Sequence, residues 1–87
     1  MFNSENLLDF IKESSSYLHK CGITNAKQEI IWFCQFSFKF KLLDIKSNMI
    51  ILSKKNIQEL NYFINRRSKH EPFQYIISSA PFFKYNF

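Results

Sequence analysis

Residues 30–38 carry apolar side chains on nearly every side: Ile30, Ile31, Trp32, Phe33, Cys34, Phe36 and Phe38. A helix that is hydrophobic all round has to be enclosed, so this segment predicts a central helix with the rest of the chain packed about it. The chain has one glycine and two prolines in 87 residues, which leaves little turn chemistry for a tight β architecture. Helices are therefore the expected wrapping. Eleven phenylalanines, four tyrosines and one tryptophan supply the apolar area. Each ring buries a large surface, so one small domain of this length can close a core without staples, burying roughly 60–65% of its unfolded surface.

The first helix is expected over residues 4–21, capped by Asn3 or Ser4, with Glu5 in the first turn where the dipole favours an anion. Leu7, Ile11, Ser14 and Leu18 recur at helical spacing as a core stripe, although the Ser14-Ser15-Ser16 run is expected mostly on the solvent side. Gly22 falls where a left-handed residue ends a helix, with Ile23 packing back on Leu18. The second helix begins at Thr24 or Asn25, and Asn25 and Gln28 have the spacing of a capping box. Two readings compete at its far end. Either the helix stops near Phe38 and a short one follows over residues 42–46, or Phe36, Phe38, Phe40 and Leu42 alternate with Ser37, Lys39 and Lys41 as a strand.

Residues 49–52 form an apolar connector, and Ser53 caps a helix that runs to Ser68. Ile57, Leu60, Ile64 and Arg67 mark one stripe of it, with Phe63 beside them. Arg66, Arg67 and Lys69 close it, where cations suit the dipole. Pro72 takes the first position of another short helix through Ile77, and a strand follows Ser78-Ser79.

The net charge is +5 and the pI is near 9.4. The lysines are scattered rather than striped, so the excess reads as compositional bias and nucleic acid is not the expected partner. The rings follow helical stripes rather than one open face, which favours core packing over base stacking. Cys21 and Cys34 match no metal spacing and read as small buried hydrophobes in a reducing compartment. His19 and His70 have no ligating neighbours at metal spacing. His19 reads as a solvated residue near a helix end, His70 as an exposed one in a hinge loop. No apolar run approaches the roughly 20 residues that span a bilayer, so a soluble, cytoplasmic protein without a membrane partner is expected. No glycine-rich loop follows a strand, and no catalytic constellation can be placed.

Residues 65–87 read N-R-R-S-K-H-E-P-F-Q-Y-I-I-S-S-A-P-F-F-K-Y-N-F. Past Pro81, Phe83, Tyr85 and Phe87 share one strand face while Phe82, Lys84 and Asn86 share the other. So apolar a strand leaves a sticky edge when unpaired, and further chain is expected beyond it. Arg66, Arg67, Glu71, Pro72, Tyr75 and Ile76 follow the order R-R-x-x-x-E-P-x-x-Y-I-x-G, and Phe82, Phe83 and Phe87 the order E-F-(aromatic)-G-x-x-F. Gly22, Ile23, Ala26 and Glu29 follow G-I-x-x-A-x-x-E. In these motifs the chain resembles, over nearly its whole length, the N-terminal domain of the release factor glutamine methyltransferase (protein-(glutamine-N5) methyltransferase) family. Lys39, His70, Ser78 and Lys84 stand where that family usually has glycine, and Pro81 where it usually has glutamate. Glycine serves positions of positive φ or close approach, so altered turns are expected at 78 and 84.

The resemblance implies an all-α fold, a small bundle of four to five short helices over residues 1–77. Over 78–87 it implies a β-strand that starts a hairpin leading to a methyltransferase domain outside this chain. It also favours the helical reading at 36–42. The whole enzyme would transfer a methyl group from S-adenosylmethionine to the glutamine of the Gly-Gly-Gln loop of peptide chain release factors, with this domain helping to hold the release factor. The cofactor site and an Asn-Pro-Pro-Tyr motif would lie beyond Phe87, so no catalytic, cofactor-binding or metal-binding residue is expected here. The expected junction or partner-contact residues are Arg66, Arg67, Glu71, Pro72, Tyr75, Phe82 and Phe83. In that role the arginine pair bridges the helix end, Glu71 and the following domain by bidentate hydrogen bonds. The plainer reading is a solvated cationic helix end with one arginine paired to Glu71. From another class comes a stand-alone basic helical module that binds RNA or a protein partner.

Overall fold

The computed structural model describes residues 2–79, which form five helices: α1 (Leu7–Lys20), α2 (Ala26–Phe38), α3 (Leu42–Lys46), α4 (Lys54–Ser68) and α5 (Phe73–Ser79). Among the described residues the fold is all-α, and residues 36–42 are helix end, turn and helix start rather than a strand. The strand expected near the C-terminus, with Phe82 and Phe83, lies outside the described residues. No described helix is long and apolar enough to cross a membrane.

α1 starts later than expected, and the cap is Asn6, whose side chain accepts from Asp9 N at 3.0 Å. Asn3 and Ser4 do not cap it because the chain before Asn6 is committed elsewhere. The Glu5 carbonyl accepts from Leu52 N at 2.7 Å, and Asn6 forms an isolated antiparallel bridge with Ile51. Ser14 is fully buried on the core stripe, as its spacing predicts, while Ser16 is exposed, and the Ser14 hydroxyl donates to the Phe10 carbonyl at 2.7 Å. A serine tolerates that position because the preceding turn satisfies its oxygen. The end of α1 follows the expectation. Gly22 has φ +96°, Ile23 N donates to Leu18 O at 3.0 Å and Gly22 N to His19 O at 2.9 Å, the paired bonds of a Schellman ending.

The capping box expected at Asn25 is absent. Asn25 has φ −103° and ψ 35° and its side chain makes no cap bond, since capping needs an extended backbone there. At α4 the box forms instead from Ser53 and Asn56: Ser53 Oγ accepts from Asn56 N at 3.1 Å and Asn56 Oδ1 accepts from Ser53 N at 3.2 Å. Pro72 sits just outside α5, where its carbonyl accepts from Ile76 N at 3.1 Å.

α2 is the axis of the bundle only on part of its surface. Ala26, Glu29, Ile30, Ile31, Phe33 and Cys34 are buried, whereas Trp32 and Phe36 are about half exposed. Four other helices, two of them very short, are too few to ring it. α1 and α4 both pack against it, and aromatic rings join it to α4 and α5. Phe33 stacks on Phe63 of α4 with centroids 4.7 Å apart, and Phe63 meets Phe73 of α5 edge-on at 5.5 Å. Phe73 also meets Trp32 edge-on at 6.2 Å. Cys34 is buried and free, as expected, while Cys21 is only half-buried.

Lys39 ends α2 with φ 60°, and Asn48 and His70 have φ 57° and 66°. The left-handed region costs a side chain-bearing residue roughly 1–2 kcal/mol, and Lys39 is exposed with only a distant Phe36 ring at 5.7 Å beneath its ammonium. Lys39→Gly is expected to stabilise the domain by about 1 kcal/mol, raising the thermal midpoint by about 4–8 °C in circular dichroism melts. An unchanged or lower midpoint would contradict the strain assigned to this turn.

Candidate junction site

Consecutive helical residues project about 100° apart, so Arg66 and Arg67 at the end of α4 serve different neighbours. Arg67 continues the buried stripe of Leu60 and Ile64 toward α2. There Glu29 stands on the buried face of Ala26, Ile30 and Phe33. Arg67 Nε donates to Glu29 Oε1 at 2.6 Å and Nη2 to Glu29 Oε2 at 3.2 Å, while Nη1 donates to the Glu71 carbonyl at 3.0 Å. All three guanidinium nitrogens are engaged, and the two side chains are only 17% and 12% exposed. A fork of this kind is the geometry that lets arginine hold a carboxylate away from water.

Arg66 serves the outer side. Its Nε donates to Glu71 Oε1 at 2.9 Å, Nη2 donates to the same oxygen, and Nη1 donates to the Tyr62 hydroxyl. Its guanidinium carbon lies 5.4 Å from the Tyr62 ring centroid and 5.8 Å from that of Tyr75. Glu71 is thus held twice, by its carboxylate through Arg66 and by its carbonyl through Arg67. The Arg66 hydrogen bonds hold the Glu71 carboxyl below its ordinary value, and Glu71 followed by Tyr62 raises Arg66.

His70 adds a third tie. With φ 66° its ring reaches back to α1, where Nε2–H donates to the Cys21 carbonyl at 2.7 Å. The ring lies over Gly22 so closely that a Cβ there would meet His70 Cε1 at 3.3 Å. The ends of α1 and α4 are therefore joined through a residue that is exposed, as the sequence suggested, and bonded as well.

Of the expected site residues, Arg66, Arg67, Glu71 and Tyr75 come together. Pro72 is exposed at the start of α5, and Phe82 and Phe83 lie outside the described residues. Two members were missed, Glu29 and Tyr62. Each left a signal: Glu29 is a carboxylate on an otherwise apolar face of α2, and Tyr62 stands four residues before Arg66, the spacing at which helical neighbours meet. Among the described residues the cluster ties α2, α4 and the loop before α5 to one another. Its carboxylates are both occupied by arginines, and no nucleophile with an adjacent base is present in it. Among the described residues no group of three His, Cys, Asp or Glu could hold a metal ion. Burial pushes the Cys34 thiol up to about 12, which removes it as a nucleophile. Beside the cluster, Phe36, Phe73, Gln74, Ile77 and Ser78 line an open groove of about 290 Å³.

The family model of the PrmC N-terminal domain matches residues 9–77. No curated protein and no solved structure matches the chain significantly. The matched span contains Glu29, Tyr62, Arg66, Arg67, Glu71 and Tyr75, the complete described cluster.

Because the folded Glu71 carboxyl is held low, its contribution to stability is present above the ordinary glutamate range and is lost as pH falls through the lowered folded value. Glu71→Gln should therefore unfold at a lower urea concentration than the unsubstituted chain at pH 7, with the gap narrowing progressively below about pH 4. A gap that is constant with pH would show that the ion pair contributes nothing.

Proposed function

Because the chain belongs to the family of the PrmC N-terminal domain, the N-terminal domain of release factor glutamine methyltransferase, we propose that it is the part of such an enzyme that recognises the release factor. The catalytic part would methylate the glutamine of the Gly-Gly-Gln loop with S-adenosylmethionine. The observation that supports this most is the family match over residues 9–77, which spans the whole cluster of Glu29, Arg66, Arg67 and Glu71.

Under this reading residues 1–77 are the recognition domain and residues 78–87, with Phe82 and Phe83, begin the linker to the catalytic domain. Arg66, Arg67, Glu71, Pro72 and Tyr75 form the junction. They hold the α4–α5 loop in place and with it the direction in which α5 starts. Binding area remote from the reacting atom then serves orientation, since a substrate held at two places presents its reactive group in few poses.

The described residues do not fit S-adenosylmethionine. Gly22 is the one glycine, it follows a helix rather than a strand, and the His70 ring lies over it at contact distance. No step of the methyl transfer is assigned to these residues, and the cofactor belongs to the catalytic domain.

Titration of the purified 87-residue chain with a purified release factor tests the proposal. A complex with a dissociation constant of about 1–100 μM, the range of a small transient interface, is expected in calorimetry. Failure to bind the release factor, together with strongly salt-dependent binding of an RNA oligonucleotide, would replace this reading with that of a basic RNA-binding module.

A further inference from the structure

α3 ends in the same way as α1. Asn48 N donates to Ile45 O at 3.2 Å and Met49 N to Asp44 O at 3.2 Å, with Asn48 at φ 57°. In such an ending the residue after the left-handed position turns back toward the preceding helical turn, which places Met49 on the side of α3 that carries Leu43. An apolar contact there would bury both partners. Here Leu43 and Met49 are each 74% exposed, and Ile51, two residues further on the same side of the extended connector, is 68% exposed. The intervening alternation is informative, because Leu52 is buried at 3% while Ile51 points outward. Ile51 is also fixed in place, since its backbone bridges Asn6 and Leu52 N is bonded to Glu5 O.

Three large apolar side chains, on α3, its end and the connector that follows, are thus carried on hydrogen-bonded backbone and shown to solvent. Scattered exposed hydrophobics need no explanation, but a contiguous set rimmed by polar residues marks an interaction surface. The rim is cationic. Lys41 and Lys46 bracket α3, and Lys54 and Lys55 open α4 directly after the connector; the carboxylates nearest in the chain are Asp44, within α3, and Glu59, whose charge interacts with that of Lys55, while Glu5 comes near through the bond from Leu52 N to its carbonyl. All four lysines are exposed. α3 has only five residues, too few for an amphipathic helix lying in a lipid interface. The ridge therefore suits a protein groove better than a membrane.

We propose that Leu43, Met49 and Ile51 form a docking ridge for the protein substrate, entering an apolar groove whose rim carries acidic side chains. This rests on the reading that the chain recognises a release factor, and it places that contact on α3 and the 49–51 connector, away from the arginine cluster. Methionine at the centre of the ridge gives a surface that can adapt to its groove, and the lysine rim sets approach and register.

The test uses the 87-residue chain, a purified release factor as the probe, and two variants. Leu43→Ser combined with Met49→Ser removes the ridge, and Lys41→Glu combined with Lys46→Glu reverses part of the rim. All four positions are exposed, and circular dichroism melts confirm that each variant is folded. The ridge variant is expected to bind roughly tenfold more weakly or worse, as truncated anchors do. The rim variant is expected to lose affinity mainly through slower association at low salt. Unchanged binding by a folded ridge variant, beside normal binding by the unsubstituted chain, overturns the ridge alone. No binding by the unsubstituted chain overturns the recognition reading and the ridge with it. Binding of the unsubstituted chain to phosphatidylserine vesicles that the ridge variant loses, with the release factor bound equally by both, assigns the ridge to a membrane instead.

Discussion

The pairing of Arg67 with Glu29 is the contact on which the arrangement of α2, α4 and α5 depends. A carboxylate on the apolar face of α2 is tolerable only while a fork of donors meets it. Removing one partner of a buried pair typically costs about 3–5 kcal/mol, whereas a domain of this size has a stability of only about 4–13 kcal/mol. Arg67 also grips the Glu71 carbonyl, so the same side chain that neutralises Glu29 sets the loop leading into α5. Arg66 then fastens that loop from outside through the Glu71 carboxylate. The aromatic sequence Phe33, Phe63 and Phe73 packs beside these ties. Its rings can stack closely because the polar cluster fixes the helices that carry them.

Lys39 and His70 show two outcomes for a residue with a side chain at positive φ, the conformation that suits glycine best. Lys39 gains little in return. His70 offsets its strain with a hydrogen bond to the Cys21 carbonyl and with contact over Gly22, joining the ends of α1 and α4. Of the two altered turns expected from the resemblance, the one at Ser78 is not a turn, since Ser78 lies within α5, and Lys84 lies outside the described residues.

Much of the fold was legible in the sequence because its signals were local. Gly22 announced a helix end, Ser53 a helix start, and the 3.6-residue recurrence of Leu7, Ile11, Leu18, Leu60 and Ile64 marked the core faces. The errors arose where a distant segment decided a local outcome. Asn6 rather than Ser4 caps α1 because residues 51 and 52 occupy the backbone ahead of it. Trp32 and Phe36 are half exposed because hydrophobicity says that a helix should be covered, whereas the other described helices leave this side of α2 partly open. At the candidate site the arginine pair and Glu71 stood within six residues of one another and were found. Glu29, 38 residues from Arg67 in the chain, required a tertiary pairing that no spacing rule contains.

A double-mutant cycle on Glu29 and Arg67 tests the central claim most directly, using Glu29→Leu, Arg67→Met and the combination in urea unfolding at pH 7. If the pair holds the bundle together, each single change costs about 3 kcal/mol because it strands a buried charge, and the combination costs no more than either. Singles that each cost less than about 0.5 kcal/mol, or costs that simply add, would contradict it.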